Sequence, residues 1–167
     1  MPRKRQNGFT LIELMVAIAI LAILLAIGLP SFQGTLRSSR VTGTSNELLT
    51  ALTLARSEAI RSTRGAGVCA SANGTACGGS WNDGWLVWVD TNSNGGLDAN
   101  ENVVRFIQGR GKMNLVGTAQ TLAFDARGRT TGGAQNIGVK PDGYETPARF
   151  VCVGATGQAR VQGGACP

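Results

Sequence analysis

The strongest pattern in the chain is an unbroken apolar run at residues 14–29, LMVAIAILAILLAIGL, with basic residues before it and polar ones after. At 1.5 Å per residue, a helix from Phe9 to Pro30 is about 33 Å long, matching a hydrocarbon core of about 30 Å. Past Pro30 the pattern changes. Val41, Ser45, Leu48, Leu52, Ala55 and Ala59 recur at alternating steps of four and three, one face of a 3.6-residue period. This predicts an amphipathic helix over roughly 34–63, with Gly65 and Gly67 as its stop. From Val68 onward the period shortens to β-branched and aromatic segments between turns: Trp85–Val89 and Val103–Ile107, then Leu122–Phe124, Ile137–Val139 and Phe150–Val153. The expected fold is α+β. A long N-terminal helix, transmembrane over 9–30 and amphipathic over 31–64, packs on a small antiparallel β-sheet domain formed by 65–167.

Composition sharpens this picture. The 24 glycines follow no strict period and suit a compact β domain with many turns. Trp81, Trp85 and Trp88 lie close together in a domain with few other aromatics, so core filling is a better reading than a binding platform. Arg3, Lys4 and Arg5 supply half of the formal +6 charge. By the positive-inside rule this cluster stays cytoplasmic and sends the β domain outward, into the periplasm for an inner-membrane protein. What remains is too mild for a dedicated nucleic-acid binder. Cys69, Cys77, Cys152 and Cys166 all lie beyond the apolar run, which suits disulfides outside the cytosol. With no CxxC pair and no histidine, a zinc site is disfavoured. Three pairings are open; Cys69–Cys77 with Cys152–Cys166 is preferred because each closes a short glycine-rich loop. Without histidine, a carboxylate pair or a nucleotide loop, an enzyme is the least supported class.

Glu13 is a carboxylate at the lip of the apolar span, where ionisable groups are usually paired and functional. No cation inside the segment can serve it. The stretch Gly8-Phe9-Thr10-Leu11-Ile12-Glu13 followed by an apolar helix resembles the type IV pilin superfamily. The resemblance implies that residues 1–8 are a class III leader, cut after Gly8 by a prepilin peptidase that then methylates Phe9. It implies that Glu13 pairs with the N-terminal amine of an adjacent subunit, and that Pro30 marks a kink or melted stretch. Leu54-Ala55-Arg56-Ser57-Glu58-Ala59-Ile60-Arg61 is similar to the helix signature of the GspH/FimT subfamily. The implied role is a minor pilin of the FimU/FimT kind near the tip of a type IV pilus. The alternative is a GspH-like pseudopilin of a type II secretion system. In either case the partners are other pilins or pseudopilins, met through the N-terminal helix, and the location is the inner membrane and then the filament.

Two further patterns carry possible chemistry. Asp90 to Glu101 fits the twelve-residue calcium-loop template, with Asp90, Asn92, Asn94, the Gly96 carbonyl, Asp98 and Glu101 as the oxygen ligands. Two neutral Asn among the first three ligands imply weak calcium binding, and strand-like flanks exclude an EF-hand helix pair. Arg127 and Arg129 form an Arg-Gly-Arg turn whose backbone amides are candidates for phosphate contact. Some FimT-like pilins bind DNA through a Gly-Arg-x-Arg segment. Gly157-Gln158-Ala159-Arg160 resembles it, with Arg160 in place and Gln158 where the first arginine would be.

Overall fold

The computed structural model describes residues 9–167 and divides into two compact units, one ending at Arg37 and the other comprising Ser38–Pro167. Helix α1 runs from Leu11 to Ser62 with Pro30 inside it. The helix continues through Pro30, the position at which the pilin resemblance implies a kink or a melted stretch. Thr10 is the N-cap: its Oγ1 accepts from the Glu13 amide at 3.3 Å, which satisfies one of the free N–H groups of the first turn.

Within the second unit the helix buries Val41, Thr44, Ser45, Leu48, Ala51, Leu52, Ala55 and Ala59. All six positions of the expected face are among them. The stop is not where the glycines predicted it. The helix ends at Ser62, Thr63 takes the left-handed conformation with φ 53°, and Gly65 and Gly67 belong to the first strand.

Eight strands follow: β1 (Gly65–Ala70), β2 (Gly84–Asp90), β3 (Asn102–Gln108), β4 (Met113–Gly117), β5 (Thr121–Phe124), β6 (Gln135–Pro141), β7 (Arg149–Val153) and β8 (Ala159–Gln162). They form two antiparallel sheets rather than one, in the orders β3-β2-β1-β5 and β4-β6-β7-β8. Strand alternation sends Ala66, Val68, Trp85, Val87, Leu122 and Phe124 of the first sheet into one core with the helix face. Met113, Leu115, Ile137, Val139, Val151 and Val153 of the second sheet join the same core. Alanines and hydroxyls dominate the helical side of that core. Ser45, for example, turns its hydroxyl back to the Val41 carbonyl at 2.8 Å, so the polar atom is satisfied within the helix.

The other face of the first sheet has a small core of its own, where Cys69, Leu86 and Trp88 pack with Leu97 and Val103. Trp88 is fully buried and its ring lies across Gly67, its cross-strand partner. Trp85 is also fully buried and Trp81 nearly so, its Nε1 donating to the Ala119 carbonyl at 3.0 Å. All three tryptophans are therefore structural.

Candidate functional site

In the first unit the chemistry sits at the start of α1. Gly8, the expected cleavage site, lies outside the described residues. Phe9 is 85% exposed, and the large apolar side chains from Leu11 to Leu29 are exposed as well. This helix is long and apolar enough to cross a membrane by length and composition. Thr10 caps it, and Glu13 is the acidic residue of its first turn, where a carboxylate meets the favourable end of the helix dipole. No ion pair involves Glu13 among the described residues. A carboxylate that must enter an apolar setting needs a cation from elsewhere, and an exposed, apolar helical surface of this length needs other helices or lipid around it.

In the second unit the cysteines form Cys69–Cys77 and Cys152–Cys166, the pairing preferred on loop length. The first ties β1 to the loop leading into β2. The second returns the C-terminal tail to β7.

The Asp90–Glu101 loop is closed by its own hydrogen bonds. Asp90 is buried, and its two carboxylate oxygens accept from the amides of Asn94 and Gly95 at 3.2 and 2.7 Å. The side-chain amides of Asn92 and Asn94 both donate to Asp98 Oδ2 at 2.7 Å. Glu101 accepts from the amides of Thr91 and Asp98 at 2.6 and 3.1 Å. Among the described residues no three His, Cys, Asp or Glu side chains converge on a point that would hold a metal. A cation entering this loop has to displace the two amide donors from Asp98. Leu97, at the crest of the loop, packs into the Trp88 cluster, and Arg64 donates to the Thr91 carbonyl. The loop therefore acts as a lid on the outer face of the first sheet.

Arg127 and Arg129 lie exposed in the turn after β5, and Arg160 lies exposed on β8. The Arg127 and Arg129 amides both donate to Asp125 Oδ1 at 2.9 Å, so these N–H groups are not open to a phosphate as the sequence suggested. The turns at Gly128 and Gly157 touch, which brings the Arg127–Arg129 turn close to the loop before Arg160.

Three contacts had no local signal in the sequence. Glu47 of the helix pairs with Arg110 of the β3–β4 turn. Asn82 Oδ1 accepts from the Leu115 amide at 2.6 Å on the edge strand β4. Arg56 reaches the Thr156 carbonyl at 3.3 Å, a hundred residues along the chain.

Comparison with known proteins decides what this architecture is. The family model described as Type II transport protein GspH matches residues 44–160, about seven tenths of the chain. The chain belongs to the GspH family. A second model, the prokaryotic N-terminal methylation motif, matches residues 3–29. The chain's fold is shared with the type IV minor pilin FimU of Pseudomonas aeruginosa, with a TM-score of 0.62 at 18% identity over 75% of this chain and 90% of that one. It is shared also with the minor pseudopilin EpsH of the type 2 secretion system of Vibrio cholerae, with a TM-score of 0.54 at 17% identity over 74% and 96%. Prepilin peptidase-dependent protein D of Escherichia coli (strain K12) is 60% identical over 38 residues, 23% of this chain and 26% of that protein. The type IV major alpha-pilin of Moraxella bovis is 56% identical over 43 residues, 26% and 27% of the two chains. The match thus spans about a quarter of the length of these curated relatives.

Proposed function

We propose that this GspH-family chain is a minor pilin of a type IV pilus, a structural and assembly-initiating subunit near the filament tip. The observation that supports this most is the likeness to FimU, which spans 90% of that protein with a TM-score of 0.62, against 0.54 for EpsH. In this reading a prepilin peptidase removes residues 1–8 and leaves Phe9 as the methylated N-terminus. The apolar half of α1 holds the subunit in the inner membrane with the β domain on the periplasmic side, where its two disulfides are stable. Glu13 then draws in the N-terminal amine of a neighbouring subunit. In a low-dielectric setting two opposite charges attract far more strongly than in water, so this one pair can set the axial register of helices whose remaining contacts are non-directional.

A pseudopilin of a type II secretion system is the second reading, favoured by the description of the matching family and by the shared fold of EpsH. Surface pili sheared from a clean deletion strain distinguish the two. Loss of pili, restored by the wild-type gene but not by Glu13→Ala, is expected. Normal pili together with a defect in protein secretion would overturn the pilus reading in favour of the second.

A further inference from the structure

Among the described residues Arg56 has no ion-pair partner. It lies half-buried at the margin of the core face of α1, with Ala55 and Ala59 in the core beside it. Its Nη2 donates to a neutral carbonyl, Thr156 O, at 3.3 Å. Its Nε is shielded from solvent and has no acceptor. The acids nearest in the helix are already paired, Glu58 with Arg61 and Glu47 with Arg110, and no ion pair involves Arg56 among the described residues. A half-buried guanidinium gives up part of its hydration without an anion to offset the loss, and the shielded, unsatisfied Nε–H adds to that cost.

The surroundings fix this arrangement. Gly128 has φ 72° and packs so closely that a Cβ there would stand 2.8 Å from Ile60 Cδ1 and 3.1 Å from Arg56 Nε. Gly157, at φ 77°, packs onto the Gly128 carbonyl with no room for a Cβ. Two glycine turns therefore clamp the guanidinium against the helix. Beside it a cleft of about 290 Å³ opens between Thr53, Arg56, Gly157, Gln158 and Ala159. The cleft offers one recessed cation on a floor of backbone and neutral side chains.

We propose that this cleft is a carboxylate site, in which Arg56 receives an Asp or Glu side chain of a neighbouring subunit in the filament. The planar guanidinium has one arm fixed on Thr156 and donors left over, which suits the two oxygens of a carboxylate. A nucleic acid is a poorer fit. It is held by several exposed cations along its backbone, whereas Arg56 is half-buried and the one cation among the residues lining this cleft, and Asp125 already takes the amides of the neighbouring Arg127–Arg129 turn. That the carboxylate belongs to a subunit rests on the pilin reading above; the chemistry of the cleft does not.

The test uses the full chain in detergent micelles, labelled with ¹⁵N-arginine. The Arg56 Nε–H resonance is identified by its loss in Arg56→Lys and followed during addition of sodium acetate, with sodium chloride at equal ionic strength as the control. A saturable displacement by acetate is expected, half-complete on the order of 10–100 mM, as befits one unaided ion pair. An equal response to chloride, no response, or a response only to a short DNA duplex overturns the carboxylate site. A photo-reactive residue in place of Gln158 then tests the source in pilus-bearing cells. Cross-links to another pilin at a peptide containing Asp or Glu are expected, and their absence from intact pili overturns the neighbouring-subunit source. Loss of pili altogether would be visible separately and bears on the pilin reading alone.

Discussion

Gly67→Ala isolates one consequence of this fold. Gly67 lies in β1, extended and paired with Trp88 on one side and Ala123 on the other, so its backbone would accept alanine. The obstacle is the indole: a Cβ at this position would stand 2.6 Å from Cζ2 and 2.8 Å from Cζ3 of Trp88. That ring cannot retreat, because it is fully buried between Cys69, Leu86, Leu97 and Val103. Overpacking of this kind costs about 1–3 kcal/mol. The lower chain entropy of alanine in the unfolded state returns about 0.4–1 kcal/mol. A net loss of about 1–2 kcal/mol follows, a fall of roughly 3–10 °C in Tm for a unit of this size. Near-UV circular dichroism of the tryptophans in the full chain in detergent reports the melting. Trp88→Leu in the Gly67→Ala background supplies the cycle, since it removes the obstructing ring. The double variant is expected to fall short of additivity by about 1 kcal/mol or more. Additivity within about 0.5 kcal/mol, or a rise in Tm for Gly67→Ala alone, would refute the Gly67–Trp88 contact as the cause.

Four other outcomes are expected. Gly8→Val leaves the leader in place, seen as an unshifted precursor band by electrophoresis, whereas Glu13→Ala is processed normally but absent from sheared filaments. Replacing Cys152 and Cys166 together by serine opens a loop with a sequence separation of 14 and removes about 3 kcal/mol of stability in denaturant titration. Calcium up to about 1 mM leaves Tm unchanged, because the Asp90–Glu101 acids are already satisfied; a rise at about 10 mM that Asp98→Asn abolishes would place a weak site there, worth about 1.4 kcal/mol for a Kd of about 1 mM. Duplex DNA is not retarded at physiological salt, since Arg127, Arg129 and Arg160 can neutralise only a few phosphates; retardation that disappears when all three become Gln would restore the DNA reading.

What the sequence revealed, and what it hid, follows from how each element is encoded. The face of α1 was legible because Leu48, Leu52, Ala55 and Ala59 obey a local period that burial enforces. β2 and β3 were legible through Trp, Val and Phe. β1 was not: Gly65-Ala66-Gly67 reads as a helix stop, yet it is the strand on which Trp88 lies, and the need for glycine comes from a residue 21 positions away. β4 and β8 are short, and pairing to β6 and β7 rather than their own propensity makes them strands. The split into two sheets is a matter of pairing and left no local trace. In the site, Glu13 stood out because a charge beside an apolar run is anomalous. Arg56 did not, because its setting depends on turns at Gly128 and Gly157 that lie far along the chain. The calcium template matches by spacing, and spacing does not report the hydrogen bonds that the same oxygens accept from the loop's own amides.

The distribution of similarity has a physical explanation that bears on function. Over short matched segments, identity reaches 60% to prepilin peptidase-dependent protein D and 56% to a type IV major pilin, while the fold is shared with FimU and EpsH at 17–18%. The large apolar side chains of the first half of α1 are exposed on every side; in the proposed reading, bilayer, peptidase and neighbouring helices would between them constrain nearly every position. The β domain is constrained only where side chains enter its core, and its loops need satisfy little beyond their own hydrogen bonds. A helix shared by many machines cannot by itself select one. In the proposed reading, selection among neighbours then rests on the surface of the domain, where half-buried Arg56 lacks a counter-charge that a matching subunit can supply and an unrelated one cannot.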